Sequence, residues 1–100
     1  MSGRMNGPER RKIVESFLRE NNPDAMFLDG LDGAIVGTVT RLSKPTLVAY
    51  DMNRIIAILM RRGFTYEEAI EWFAFNIEGS WVGENTPVLL TRVKDLEGIV

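Results

Sequence analysis

Ala34-Ile35-Val36-Gly37-Thr38-Val39-Thr40 and Thr46-Leu47-Val48-Ala49-Tyr50 are two runs of aliphatic and β-branched residues, joined by Arg41-Leu42-Ser43-Lys44-Pro45. Such residues suit the pleated surface of a strand. Strands separated by about five residues pair antiparallel, because a parallel pair needs a crossover of roughly a dozen residues. The stretch therefore predicts a hairpin. Gly37 inside the first run predicts a bulge, or a place where another group comes close. Asp51 follows the second run and is placed to cap a helix.

Downstream of the hairpin, Met52, Ile55, Ile56, Leu59 and Met60 recur at helical spacing. Arg61 and Arg62 fall in the last turn, where the helix dipole favours cations, and Gly63 is a helix stop. Thr65-Tyr66-Glu67-Glu68 is a capping box opening a further helix through Ala69, Ile70, Phe73 and Ile77 and ending before Gly79. The short link between them makes an αα-hairpin. Residues 80–87 read as an irregular loop and 88–93 as a last strand. Pro87 suits the first residue of that strand.

Upstream, Ala25-Met26-Phe27-Leu28 reads as a short strand or a turn leading into one, and Asp29-Gly30-Leu31-Asp32-Gly33 as a turn. Ile13, Val14, Phe17 and Leu18 form one apolar stripe of a helix over 8–20. Pro8 suits its first turn, and Asn21-Asn22-Pro23-Asp24 ends it. Residues 1–7 read as a loose arm, 8–93 as a single domain, and 94–100 as a tail on which Leu96 and Ile99 dock. The order is α-β-β-β-α-α-β. It predicts an α+β fold, with a small, mainly antiparallel sheet and the N-terminal helix and αα-hairpin packed on one face.

The chain has 100 residues, 45% hydrophobic and 26% charged, which suits one globular domain and argues against intrinsic disorder. Twelve Lys and Arg against fourteen Asp and Glu give a net charge of −2, so no overall positive field draws in nucleic acid. A local patch from Arg10, Arg11, Lys12 and Arg19 with Arg54, Arg61 and Arg62 is the one route left to such a partner. Cys and His are both absent, which excludes disulfides, thiolate chemistry, Cys/His zinc sites and imidazole acid–base catalysis. The first eight residues carry no apolar core. The longest apolar stretch, from Ile55 to Met60, falls far short of the roughly 20 residues a bilayer span needs. A cytoplasmic protein with no membrane partner is expected. No nucleotide-binding glycine motif or serine-nucleophile elbow occurs, and Ser43-Lys44 sit side by side on a hairpin connection, where neighbours point apart.

Charge is distributed unevenly. Between Met52 and Arg62 lie three Arg and no acid; between Gly63 and Pro87 lie five Glu and no base. Two adjacent helices of opposite sign attract each other, or they leave a bipolar surface for a charged partner. Asp29 and Asp32 form a second candidate. Paired carboxylates can hold a divalent cation or divide into acid and base, but Asp-Gly is foremost a turn signal and the spacing lacks the ligand alternation of a calcium loop. The third candidate is the loop 76–87. Trp81 could stack on a ring, while Asn76, Glu84 and Asn85 could read polar edges. Tyr50 is a further stacking candidate, and Arg41, Arg54 or Arg92 could supply charge to a phosphate. Against that, Trp81 could equally plug the core edge. Trp72, beside the core face, suits a dimer contact. No catalytic residue, metal or cofactor is assigned.

Asp29-Gly30-Leu31-Asp32-Gly33-Ala34-Ile35-Val36-Gly37, Val48-Ala49-Tyr50-Asp51, Ile58-Leu59-Met60-Arg61-Arg62-Gly63, Tyr66-Glu67-Glu68-Ala69-Ile70-Glu71-Trp72-Phe73, Asn76 and Trp81-Val82-Gly83-Glu84-Asn85-Thr86-Pro87 occur in that order. This series resembles a set of small, uncharacterised proteins of bacteriophage and prophage genomes. The resemblance implies a phage or prophage setting and a small protein that binds host or phage components. It transfers no catalytic residue. The combined expectation is a small accessory protein acting by binding to a host or phage protein, itself a homodimer. The alternatives are a binder of a small, nucleotide-type ligand or a carboxylate- or metal-dependent enzyme.

Overall fold

The computed structural model describes residues 5–78 and 83–97. Helix α1 spans Gly7–Asn21. Asn6 caps it reciprocally with Glu9: the Asn6 side-chain oxygen accepts from the Glu9 N–H at 2.9 Å, and Glu9 Oε1 accepts from the Asn6 N–H at 2.9 Å. That satisfies two donors that a helix start leaves open. Val14 and Leu18 are buried, but Ile13 and Phe17, expected in the same stripe, stand largely in solvent. At the far end the buried Asn22 donates to the Thr46 carbonyl at 2.8 Å, tying α1 to the sheet.

The hairpin is present and its strands reach closer to the turn than expected. Strand β1 is Ile35–Arg41 and β2 is Lys44–Asp51, antiparallel, with Ser43 at φ 60 in the tight turn between them. The register steps from Ile35↔Tyr50 to Gly37↔Ala49, so Val36 is an extra residue, and Gly37 absorbs the bulge at φ 157. Residues 25–28 form no strand; the chain there runs as coil into a single 3₁₀ turn, Asp32–Ala34, just before β1. Their apolar side chains serve the core instead, with Ala25, Phe27 and Leu28 packed against it.

Helix α2, Met52–Arg61, begins where β2 ends. Asp51 Oδ1 accepts from the N–H groups of Asn53 and Arg54 at 2.9 and 3.3 Å. Helix α3, Tyr66–Phe73, starts at the expected Thr65–Glu68 capping box and continues as a π-helical turn, Ala74–Glu78. Strand β3 is shorter than expected, Val88–Leu90, and lies parallel to β2 in the order β1-β2-β3. The sheet is therefore mixed. The two-helix connection supplies the long crossover that a parallel neighbour requires. A one-turn helix α4, Val93–Leu96, follows within the stretch expected to be a tail.

The α+β class holds, with α1, α2 and α3 sharing a face of the sheet. Val48 and Tyr50 of β2 join Val14 and Leu18 of α1, Ile55, Ile56 and Leu59 of α2, and Ala69 and Phe73 of α3 in one core. Side chains alternate along a strand, so Leu47, Ala49 and Asp51 point to the opposite face, and they are buried as well. Among the described residues no helix is long and apolar enough to cross a membrane.

Candidate functional site

The turn at 29–33 is held by arginines from both sides. Arg11 of α1 donates to Asp32 Oδ1 at 3.2 Å and to Glu15 Oε2 at 3.0 Å, with its guanidinium 3.9 Å over the Phe27 ring. Arg62 donates to the Gly30 carbonyl, and Arg54 donates to that of Gly33 at 3.2 Å. Gly30 has φ 74, a left-handed geometry that glycine adopts without strain. Asp32 is thus an ion-pair partner at the start of the 3₁₀ turn, while Asp29 is exposed. The described residues contain no group of three or more Asp and Glu arranged to hold a metal.

Tyr50, a candidate for stacking on a ligand, is a core residue with no exposed surface. Its hydroxyl oxygen accepts from the Leu28 N–H at 2.8 Å. Burial pushes the phenol up to about 12, against a smaller lowering by the Leu28 bond. It fixes the 25–28 segment to β2 and is not available to an incoming ring.

The second turn, 83–87, packs against the end of α1 and the segment that leads to the first turn. Asn85 accepts from Asn22 Nδ2 at 2.9 Å through its side chain, and from the Met26 N–H at 3.1 Å through its carbonyl. Both of these oxygens are therefore engaged in joining α1, residues 25–28 and this turn. Glu84 stays exposed and pairs with Lys44 Nζ at 2.9 Å; that hydrogen bond and its charge hold the carboxyl below its ordinary range. Trp81 lies outside the described residues. Asn76 sits apart, in the π-helical turn, with its side-chain amide donating to the Trp72 carbonyl at 3.0 Å.

The structure thus brings Asp29, Asp32 and Tyr50 to one neighbourhood and places Glu84 and Asn85 on a second turn, bonded to Asn22, Met26 and Lys44. It leaves Asn76 at the end of α3. Among the described residues no ion pair joins α2 directly to α3. Arg54 and Arg62 are directed at turn carbonyls, and among the described residues Glu67 and Glu71 make no ion pair. On the same helical segment, Phe75 is 82% exposed and Tyr66 58%. An open hollow of about 390 Å³ lies where the α2–α3 link meets α3, lined by Arg62, Phe64, Glu68, Glu71 and Trp72.

Two features escaped the sequence reading. Asp51 is both a cap and the acceptor of Arg92 Nε at 2.6 Å, a pairing 41 residues apart that no local pattern signals. Phe75 falls outside the Ala69, Ile70, Phe73, Ile77 stripe, two residues after Phe73, so it stands on the outer side of the π-helical turn, a place the search for apolar periodicity passes over. Chain segments bearing a π-helical turn are often functional sites. Compared with known proteins, the chain matches no family model, no curated protein and no solved structure.

Proposed function

We propose that the protein acts by binding another protein, through the acidic and aromatic surface formed by α3 and the π-helical turn. The observation that carries this reading is Phe75, a large ring standing almost wholly in water four residues after Glu71 on the same helical segment, where Glu67 and Glu71 make no ion pair among the described residues. Aromatic anchors supply most of the energy of protein contacts, and surrounding charge selects the partner and speeds its approach. The partner is a host or phage protein with a basic face, and the setting is the cytoplasm of a bacterial host. The same turn leads into the loop 76–87 that the sequence singles out.

The test is affinity capture from host lysate with wild type, Phe75→Ala and Glu67→Lys/Glu71→Lys proteins, all verified as folded by circular dichroism. Loss of one specific partner in both variants, and its elution by moderate salt, supports the reading. Retention of that partner by both variants overturns it. A second reading, a small-ligand binder, is favoured by the hollow where Trp72, Phe64 and Arg62 meet. Glu68 and Glu71 on its wall oppose a phosphate, so a thermal-shift series of nucleosides against nucleotides separates the two.

A further inference from the structure

The strongest uncommitted surface elsewhere in the molecule lies where α1 runs beside β1. Ile13 is 56% exposed, Phe17 47% and Val36 38%. They form one patch. Ile13 and Val36 line a shallow hollow of about 150 Å³, and Ile13 and Phe17 line the next, of about 260 Å³, together with Thr38. Strand β1 is the edge of the sheet, so its outer backbone groups face the same side, and a side chain at Gly37 would meet nothing within 4 Å. Contiguous apolar surface beside an open strand edge is a contact surface in soluble proteins.

The charges on this side of α1 identify what covers it. Arg10, Ile13, Phe17 and Glu20 follow at i, i+3, i+7 and i+10 and share a side of the helix. The order is basic, apolar, apolar, acidic, and the spacing is symmetric about position 15. Reversed end to end, the stripe is complementary to itself. Laid antiparallel against a second copy, Ile13 meets Phe17 of the partner subunit, and Arg10 meets Glu20 of the partner subunit. The two-fold axis generates each contact twice.

Strand β1 obeys the same axis. Arg10 Nη1 donates to the Ile35 carbonyl at 2.6 Å and Phe17 lies by Thr38, so α1 and β1 run in the same direction. Reversing one therefore reverses the other and brings the two β1 edges together antiparallel. Arg10 uses its Nε and Nη1 on the carbonyls of Met5 and Ile35, leaving donors of its five-donor fork for a carboxylate. Glu20 is exposed and makes no ion pair among the described residues. We infer that the α1–β1 face is a two-fold interface between two copies of this chain, sealed at each end by an Arg10–Glu20 pair. This contact is separate from the α3 surface and does not depend on it.

The experiment is sedimentation equilibrium over a dilution series of the full chain. The wild type is expected at twice the 11.3 kDa chain mass, dissociating on dilution. Ile13→Ser/Phe17→Ser is expected to remain monomeric. Arg10→Glu and Glu20→Arg, each alone, place like charges opposite each other at both ends and raise the dissociation constant about tenfold. Mixing those two proteins restores a dimer near wild-type affinity, because each supplies the charge the other lacks. A purely structural role for Arg10 would give no such rescue. Since Arg10 also holds β1, Glu20→Arg serves as the variant that leaves the fold untouched, verified by circular dichroism. A monomeric wild type overturns the inference. So does a dimer that neither Glu20→Arg nor Ile13→Ser/Phe17→Ser weakens.

Discussion

Tyr50 shows how one residue couples the core to pH. Its phenol is buried on β2, so ionisation would place a charge where water cannot reach it, and the group is pushed from 10.0 to about 12. Between those values the unfolded chain has lost the proton while the folded chain keeps it. The stabilisation is therefore complete below pH 10 and is lost as pH rises through 12, by on the order of 2 kcal/mol. Urea midpoints across this range should fall with pH. In Tyr50→Phe that alkaline fall should be shallower. At neutral pH this variant should be less stable by about 1 kcal/mol, because the Leu28 N–H loses its acceptor. An equal alkaline fall in both proteins would contradict the account. Asp51 is the other residue with consequences beyond its neighbours. Its two oxygens divide the work, Oδ1 capping α2 and Oδ2 accepting from Arg92. Only the first role could be read locally, since a cap depends on the next three residues and an ion pair on the whole fold.

The elements whose signals are local are the ones the sequence reveals. Both capping residues Asp51 and Thr65, the stop at Gly63, and the hairpin stand where the pattern places them, because each is decided within a few residues. The Ala25-Met26-Phe27-Leu28 run is apolar for a different reason: it is coil pinned by Tyr50, and hydrophobicity alone does not distinguish a strand from a packed loop. The α1 stripe misleads similarly. Four apolar residues at helical spacing predict one buried face, yet only Val14 and Leu18 reach the core. Of the candidate site, the 29–33 turn was legible from its Asp-Gly chemistry and 80–87 only as an irregular loop, while the internal employment of Asn85 and Tyr50 was not. Gly63 offers a test at this scale. It has φ 106 and open space around it, so Gly63→Ala meets no clash and acts through the backbone alone. The expected cost is about 1–2 kcal/mol, seen as a lower urea midpoint with an unchanged slope. No loss would mean that the turn between α2 and α3 relaxes to a geometry other than the one described.

For the whole molecule the decisive feature is that β3 joins the sheet last in sequence and pairs only with β2. It has three half-buried residues, flanked by the side-chain links Asn22–Asn85 and Lys44–Glu84 before it and Thr91–Met52 and Asp51–Arg92 after it. By contrast Val48, Tyr50 and Ile55 have no exposed surface. The molecule therefore has a strongly packed centre and a lightly held margin, and the margin should open by itself. Hydrogen exchange can separate the two. Leu59→Ala removes core packing worth about 2–5 kcal/mol, so it should lower the protection of amides in β2 and α2. It should leave β3 amides unchanged, since the core is still intact when β3 opens. Arg92→Ala breaks a link that is lost both in the local opening and in global unfolding, so it should lower protection in both regions by a similar factor. If Leu59→Ala instead lowers β3 and β2 together, the margin opens only when the whole domain does. The parallel strand would then be as integral to the fold as the hairpin it joins.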